Sequence, residues 1–408
     1  MSCNHNKQSS TDQPFFTILA KPTLKCNLKC KFCYQSHVRS GQNMSRETKE
    51  ALIKRACEHE NKNISIQWIG GETLAVGIDF FLECEELLLK HQKEGQFITS
   101  SLQTNGTLLN MEWVDFIKKY KRYSLSISFE IFPCLQNNLR VGEGKYRDSY
   151  TIVKDNLSML NENGVEYGVL TVIEKETLDI PPKDWIEQVV KLGIRQIGMQ
   201  FSYQNVYSGD LLMTERYINW VEELFIAHAA YSKACKDESR QLIIRESFYL
   251  YNIIMSPAKS IGCCHHNKNI CNDFLVTVDT DGGVYGHCDS FMDYSTRSFE
   301  KYRVGSVYDN SFQEIMAGES IAEIRKELLV GRLKCKTCSY YDICRGGCGF
   351  FKAMSGGYID SGYGDSIDSY CGIKIALLDH VIDIDKRKTI IDTYYPIIGN
   401  SEIKTHLF

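Results

Sequence analysis

Cys26-Asn27-Leu28-Lys29-Cys30-Lys31-Phe32-Cys33-Tyr34 sets three cysteines in a C-x3-C-x2-C spacing directly behind a short apolar run. Three thiolates on one loop can hold a metal centre without closing its coordination. An iron–sulfur cube takes four ligands, so such a loop leaves one iron open to a small molecule, the arrangement an enzyme uses. A structural zinc site normally closes with four protein ligands, and a zinc loop with its fourth ligand elsewhere is the alternative at this point.

Downstream of the loop, β-rich runs alternate with amphipathic helical runs. The strand candidates are residues 15–20, 64–69, 97–103, 123–129, 167–173 and 196–201, each rich in aromatic or β-branched residues. Helical patterns fall between and after them at 46–59, 80–93, 111–119, 150–161, 183–192 and 214–232, and Gly164 and Gly193 follow two of these where a left-handed C-terminal cap is wanted. This alternation predicts a parallel sheet with right-handed crossovers, either an open doubly wound sheet or a curved partial barrel. Candidate functional residues follow successive strands: the cysteine loop, Gly70-Gly71-Glu72-Thr73, Thr104-Asn105-Gly106-Thr107, then Ser128 and Glu130. Strand C-terminal ends are where α/β folds place their sites. Asn105-Gly106 reads equally well as a plain turn.

Composition narrows the classes. The chain has 408 residues, 43% hydrophobic and 24% charged, enough for a real core and more than one domain. A formal net charge of −4 gives no field that would mark a nucleic-acid or membrane binder. Residues 1–13 are polar and lack the apolar centre of a secretory signal, and no stretch approaches a membrane span, which predicts a cytoplasmic protein. The 17 cysteines cluster in short spacings, which favours metal ligation over disulfides in a reducing compartment.

The densest cluster is C-terminal. Cys271, eleven residues, Gly283, four residues and Cys288 are followed by Cys335-x2-Cys338-x5-Cys344-x3-Cys348 and then Cys371. A pair of zinc knuckles is the competing reading of that density. Cys3, Cys57, Cys84, Cys134 and Cys235 are isolated, and on the predicted helices Cys57 and Cys84 read as small buried hydrophobes.

With these motifs in hand, the chain resembles radical S-adenosylmethionine (SAM) enzymes carrying a C-terminal SPASM domain. The resemblance implies a partial (β/α)6 TIM-type barrel followed by a small cysteine-rich domain. It assigns Cys26, Cys30 and Cys33 to a 4Fe–4S cluster whose open iron binds SAM, with the aromatic Phe32 ahead of the last cysteine. It also implies that Gly70-Gly71-Glu72 contacts the SAM amino group, that Arg140 forks onto its carboxylate, and that Ser128 offers a hydroxyl nearby. Phe129-Glu130-Ile131-Phe132 departs from the family's usual Ile-Asp-Gly-Pro, and Glu130 reads as a surface residue at a strand end. Two auxiliary 4Fe–4S clusters are implied, one on Cys264 (or Cys263), Cys271, Cys288 and Cys348, the other on Cys335, Cys338, Cys344 and Cys371. His265, His266 and His287, beside these cysteines, read as neighbours of the ligands rather than ligands.

The expected organisation is a polar tail (1–14), the barrel (15–235), a bridging region (236–262), the SPASM domain (263–374), and a C-terminal helix and tail (375–408). Two branches of the family act on side chains within polypeptides: anaerobic sulfatase-maturing enzymes, which make formylglycine, and maturases of ribosomally made peptides, which install C–C, C–O or thioether crosslinks. Asp289, directly after Cys288, matches a residue that acts as a base in the first branch and is seen in the second. Gln35 and Ile69 depart from the Tyr and Gln usual in sulfatase maturases, so the expected function is a peptide maturase, with sulfatase maturation as the alternative. An iron–sulfur electron carrier is the non-enzyme alternative, for which the GGE loop and Arg140 would be superfluous. The implied partners are a precursor peptide and an electron donor such as flavodoxin or ferredoxin. Only 25 residues precede Cys26, so leader recognition would need another surface or a separate protein.

Overall fold

Along three adjacent strands of the central sheet, side chains alternate between a helix-covered face and a concave one. The computed structural model describes residues 15–33, 35, 41–201, 211–237, 241–255, 274–289, 292, 298–330, 333–344 and 371–398. Its central strands are β1 (Phe16–Ala20), β3 (Asn63–Trp68), β4 (Phe97–Thr104), β5 (Tyr123–Ser128), β7 (Tyr167–Ile173) and β8 (Gln196–Phe201), adjacent in that order and all parallel. In β3, Ile64, Ile66 and Trp68 are buried while Asn63, Ser65 and Gln67 are only half-buried, the period-2 pattern that fixes which face meets the helices.

The helices start and stop on side-chain chemistry. Ser45 accepts from Thr48 N–H ahead of α1 (Arg46–Glu58), Asn110 caps α3 (Met111–Lys119), and Asp148 caps α5 (Ser149–Glu162). Gly164 and Gly193, at φ of 65° and 72°, end α5 and α6 (Pro182–Lys191) in the left-handed region. Under the helices lies an aromatic core: Phe81 of α2 (Ile78–His91) packs edge-on to Trp68, Trp113 and Tyr123 at centroid distances of 5.7, 5.6 and 6.1 Å.

The sheet continues past both ends of this six-strand arc. Beyond β8 runs β9 (Ile243–Ile244), parallel to it, followed by a helix, Arg245–Met255, with Phe248, Leu250 and Tyr251 buried. The stretch expected to bridge two domains therefore contributes a strand and a packed helix to the barrel wall. Beyond β1, on the other side, runs β10 (Leu275–Val278) in parallel, then antiparallel β11 (Gly283–Tyr285) and β12 (Arg303–Ser306). The sheet order runs from β12 to β9 with no pairing between those edges among the described residues, so the barrel is partial and the cysteine-rich segment is joined to it through β1.

The C-terminal region, expected as one helix and a tail, contains two helices. Helix Cys371–Ile382 is followed by helix Ile384–Ile398, whose Tyr394 is fully buried and donates to the Ile244 carbonyl at 3.0 Å. A helix this polar is specified by where it docks, not by its own periodicity.

Candidate active site

A short second sheet carries the first part of the site. β2 (Leu28–Cys30) lies inside the cysteine loop and pairs antiparallel with β6 (Arg140–Gly142), setting Cys30 opposite Arg140. Arg140, 7% exposed, directs Nη1 toward Cys30 Sγ at 3.9 Å and stacks its guanidinium over the Phe32 ring, 4.9 Å from the centroid. Its Nε and Nη2 donate to Glu130 Oε1 at 3.1 and 2.9 Å. Glu130 is therefore no surface residue. It is 1% exposed and also accepts from Thr171 Oγ1 at 2.6 Å and from Val172 N–H. Two of the three guanidinium nitrogens expected to fork onto a carboxylate from outside are held by this internal one. Ser128 lies on the concave face and accepts from Gln103 Nε2 at 2.7 Å.

The glycine loop after β3 is pressed against the chain leading into the cysteines. Gly71 N–H donates to Thr23 O at 3.0 Å and Glu72 N–H to Lys25 O at 2.7 Å. A Cβ on Gly71 would stand 2.2 Å from Lys25 O, so no other residue fits. Glu72 is fully buried and accepts from Leu74 N–H at 3.0 Å, Thr104 Oγ1 at 2.6 Å and Asn105 N–H at 2.7 Å. Burial raises the pKa of this carboxyl against the pull of those donors. The side chain thus ties the ends of β3 and β4 together. Asn105 is more than a turn former, for its Nδ2 donates to Asn27 Oδ1 at 2.8 Å and approaches Cys26 Sγ at 3.9 Å.

Cys26, Cys30 and Cys33 are all free and partly exposed. Burial pushes the Cys26 thiol up to about 12 and raises that of Cys30 despite the nearby Arg140. Soft sulfur donors on one loop, with amide and guanidinium N–H groups aimed at two of them, suit an iron–sulfur cluster.

The C-terminal segment reaches the same end of the barrel. Leu19 pairs with Thr277, whose hydroxyl donates to the His287 carbonyl at 2.6 Å, and this carries Cys288 and Asp289 to the end of β1. Both are half-buried. His287 is buried, its Nδ1 lies 2.7 Å from Cys288 O, and burial depresses its pKa to about 4. Cys335, Cys338 and Cys344 are partly exposed on one short turn-and-helix unit in which Cys338 N–H donates to Cys335 O at 2.9 Å. The backbone of Cys371 opens a helix. Cys263, Cys264, Cys271, Cys348, His265 and His266 lie outside the described residues. Cys57 and Cys84 are 1% exposed in the core, as read.

Sequence reasoning passed over Lys21 and undervalued Glu130. The signal for Lys21 was a lone cation directly after the apolar strand at the centre of the sheet. For Glu130 it was an arginine ten positions on that would need a partner once buried.

A family model described as the Radical SAM superfamily matches residues 21–184, and one described as SPASM, an iron–sulfur cluster-binding domain, matches residues 271–349. The chain is a radical SAM enzyme with a SPASM domain, and such domains bring with them 4Fe–4S clusters and SAM. It is 25% identical over 353 residues to the cysteine-type anaerobic sulfatase-maturating enzyme of Clostridium novyi, covering 81% of this chain and 87% of that one. Its fold is similar to native anSMEcpe with bound AdoMet and Cp18Cys peptide, with a TM-score of 0.73 at 23% identity over 94% of this chain and 97% of that one. It is also similar to Streptococcus suis SuiB bound to precursor peptide SuiA, with a TM-score of 0.55 at 15% identity over 87% and 76% of the two chains. No helix among the described residues is long and apolar enough to cross a membrane.

Proposed function

We propose that this enzyme removes hydrogen from a side chain of a ribosomally made peptide and joins that side chain to another through a C–C, C–O or thioether bond. One juxtaposition supports the reading most: the loop of Cys26, Cys30 and Cys33, the Gly70-Gly71-Glu72 loop and the Cys288-Asp289 pair gather at one end of the barrel. When bound, SAM and three 4Fe–4S clusters supply a 5′-deoxyadenosyl radical and a sink for the electron left on the substrate. Backbone around Gly70 and Gly71 binds the SAM ammonium, and Arg140, steadied by Glu130, supplies positive charge beside Cys30. Cys271, Cys288 and Cys348 with Cys264, and Cys335, Cys338 and Cys344 with Cys371, hold the auxiliary clusters.

Asp289 takes the proton released as the substrate side chain is oxidised, a role suited to a half-exposed carboxylate. The concave face offers the peptide half-buried hydroxyls and amides, among them Gln67, Gln103, Ser126 and Ser128, which both donate and accept and so suit a polypeptide backbone. Gln35, buried, and Ile69, half-buried, stand where sulfatase maturases have Tyr and Gln, which favours crosslinking. Similarity to sulfatase-maturating enzymes over most of both chains favours formylglycine formation as the second reading. The reductant is a flavodoxin or ferredoxin.

Co-expression with each short open reading frame found beside the gene, followed by mass spectrometry, tests the proposal. Loss of one hydrogen pair per modification, with fragmentation blocked between two linked residues, is the expected result. An aldehyde at a single Cys or Ser would support the second reading instead, and an unchanged peptide would overturn both.

A further inference from the structure

Lys21 directly follows β1 and is fully buried. An ammonium taken out of water needs anions around it, because its desolvation is otherwise uncompensated. The fold brings two carboxylates to it along separate routes. Lys21 N–H donates to Val278 O at 3.0 Å, which sets Asp279, itself buried, immediately beside the end of β1. Two residues earlier on the same face, Leu19 pairs with Thr277, and the bond from Thr277 Oγ1 to His287 O delivers Asp289 from above. On the opposite flank Gly70 packs beside the lysine stem: a Cβ there would lie 3.6 Å from Lys21 Cβ, ordinary contact distance.

Burial lowers the pKa of this ammonium, and the groups near enough to pull the other way are the carboxylates of Asp289 and Asp279 and the thiols of Cys33 and Cys288. One cation thus stands among a thiol of the first cysteine loop, a thiol of the SPASM segment and the carboxylate next to it. A lysine kept only for structure could be replaced by an apolar side chain of equal volume with no consequence for that carboxylate.

We infer that Lys21 is a positioning residue: it holds the Asp289 carboxylate at the end of β1, facing the cysteine loop, so that the base meets the substrate in a single orientation. The inference rests on the proposed role of Asp289, and its test has one arm that depends on that role and one that does not. In the first arm, melting temperatures of the reconstituted enzyme are compared for Lys21→Met, Lys21→Gln, Asp289→Asn and the double variants. Asp289→Asn lowers the melting temperature when Lys21 is present, because it leaves the buried ammonium with a weaker partner, and does not when Lys21 is replaced. An equal shift in both backgrounds overturns the pairing.

In the second arm, product formed per 5′-deoxyadenosine is measured for the same set. Lys21→Met and Asp289→Asn each lower it by between about 10- and 100-fold, the cost of misplacing or removing a base, and the double variant is no lower than the worse single one. Losses that multiply overturn the inference. If the stability arm shows coupling while Asp289→Asn leaves product formation intact, the base assignment fails and the ion pair stands.

Discussion

Replacing Glu130 by Gln isolates the interaction that fixes Arg140. The change keeps the side chain's shape and removes its charge, and Glu130 and Arg140 are 1% and 7% exposed, so water cannot replace the lost anion. Removing one partner of a buried pair costs about 3–5 kcal/mol, most of it the penalty of an uncompensated charge. An unfolding entropy of about 2.1 cal/mol/K per residue over 408 residues makes one kcal/mol worth about 1.2 °C, so the melting temperature falls by about 4–6 °C. The amide keeps a single acceptor oxygen for Arg140, so Thr171 must turn its hydroxyl round to accept from the new N–H. Adding Arg140→Met to Glu130→Gln removes the orphaned charge and recovers much of the loss. The assay is anaerobic thermal unfolding of the reconstituted enzyme by circular dichroism. A drop below about 1 °C for Glu130→Gln would mean that the guanidinium finds equal compensation elsewhere and that Glu130 does not fix it.

Other outcomes follow from the same geometry. Gly71→Ala drives a methyl group to within 2.2 Å of Lys25 O and must move the chain entering the cysteine loop, so SAM affinity measured by equilibrium dialysis falls at least tenfold, by about 1.4 kcal/mol; unchanged affinity would contradict it. Asp289→Asn lowers product formed per SAM cleaved, scored by chromatography of peptide and 5′-deoxyadenosine together, by about 100-fold; a normal ratio would remove Asp289 as the base. His59, His228 and His380 are held neutral by burial, each down from 6.5 to about 4. Between those values the unfolded chain binds more protons than the folded one, so stability is full above about 6.5 and declines as pH falls toward about 4. A melting temperature that stays level across that window would contradict this.

The alternating elements of the barrel were legible because helix and strand periods differ and each strand presents one apolar face; the boundaries of β7 and β8 match the prediction residue for residue. β2, β6 and β9 were not, since strands of two or three residues carry no period, and β2 and β6 are specified by a pairing across about 110 positions of chain. The cysteine loop and the glycine loop announced themselves by residue type and spacing. Glu72 did so only in part: its motif is visible, but its burial under Thr104 and Asn105 depends on the end of the neighbouring strand. Lys21 and Glu130 escaped for a common reason, that a charge reads as surface until the fold supplies its counter-charge from elsewhere in the sequence.

In the proposed function, the loop at Cys26 works with SAM to open a reaction on a peptide. Anaerobically reconstituted enzyme, given dithionite, SAM and the candidate peptide, is assayed for 5′-deoxyadenosine beside a Cys30→Ala variant. The native chain yields 5′-deoxyadenosine, the variant none above background, and the peptide becomes lighter by one hydrogen pair per modification. SAM left intact by the native enzyme would contradict that function.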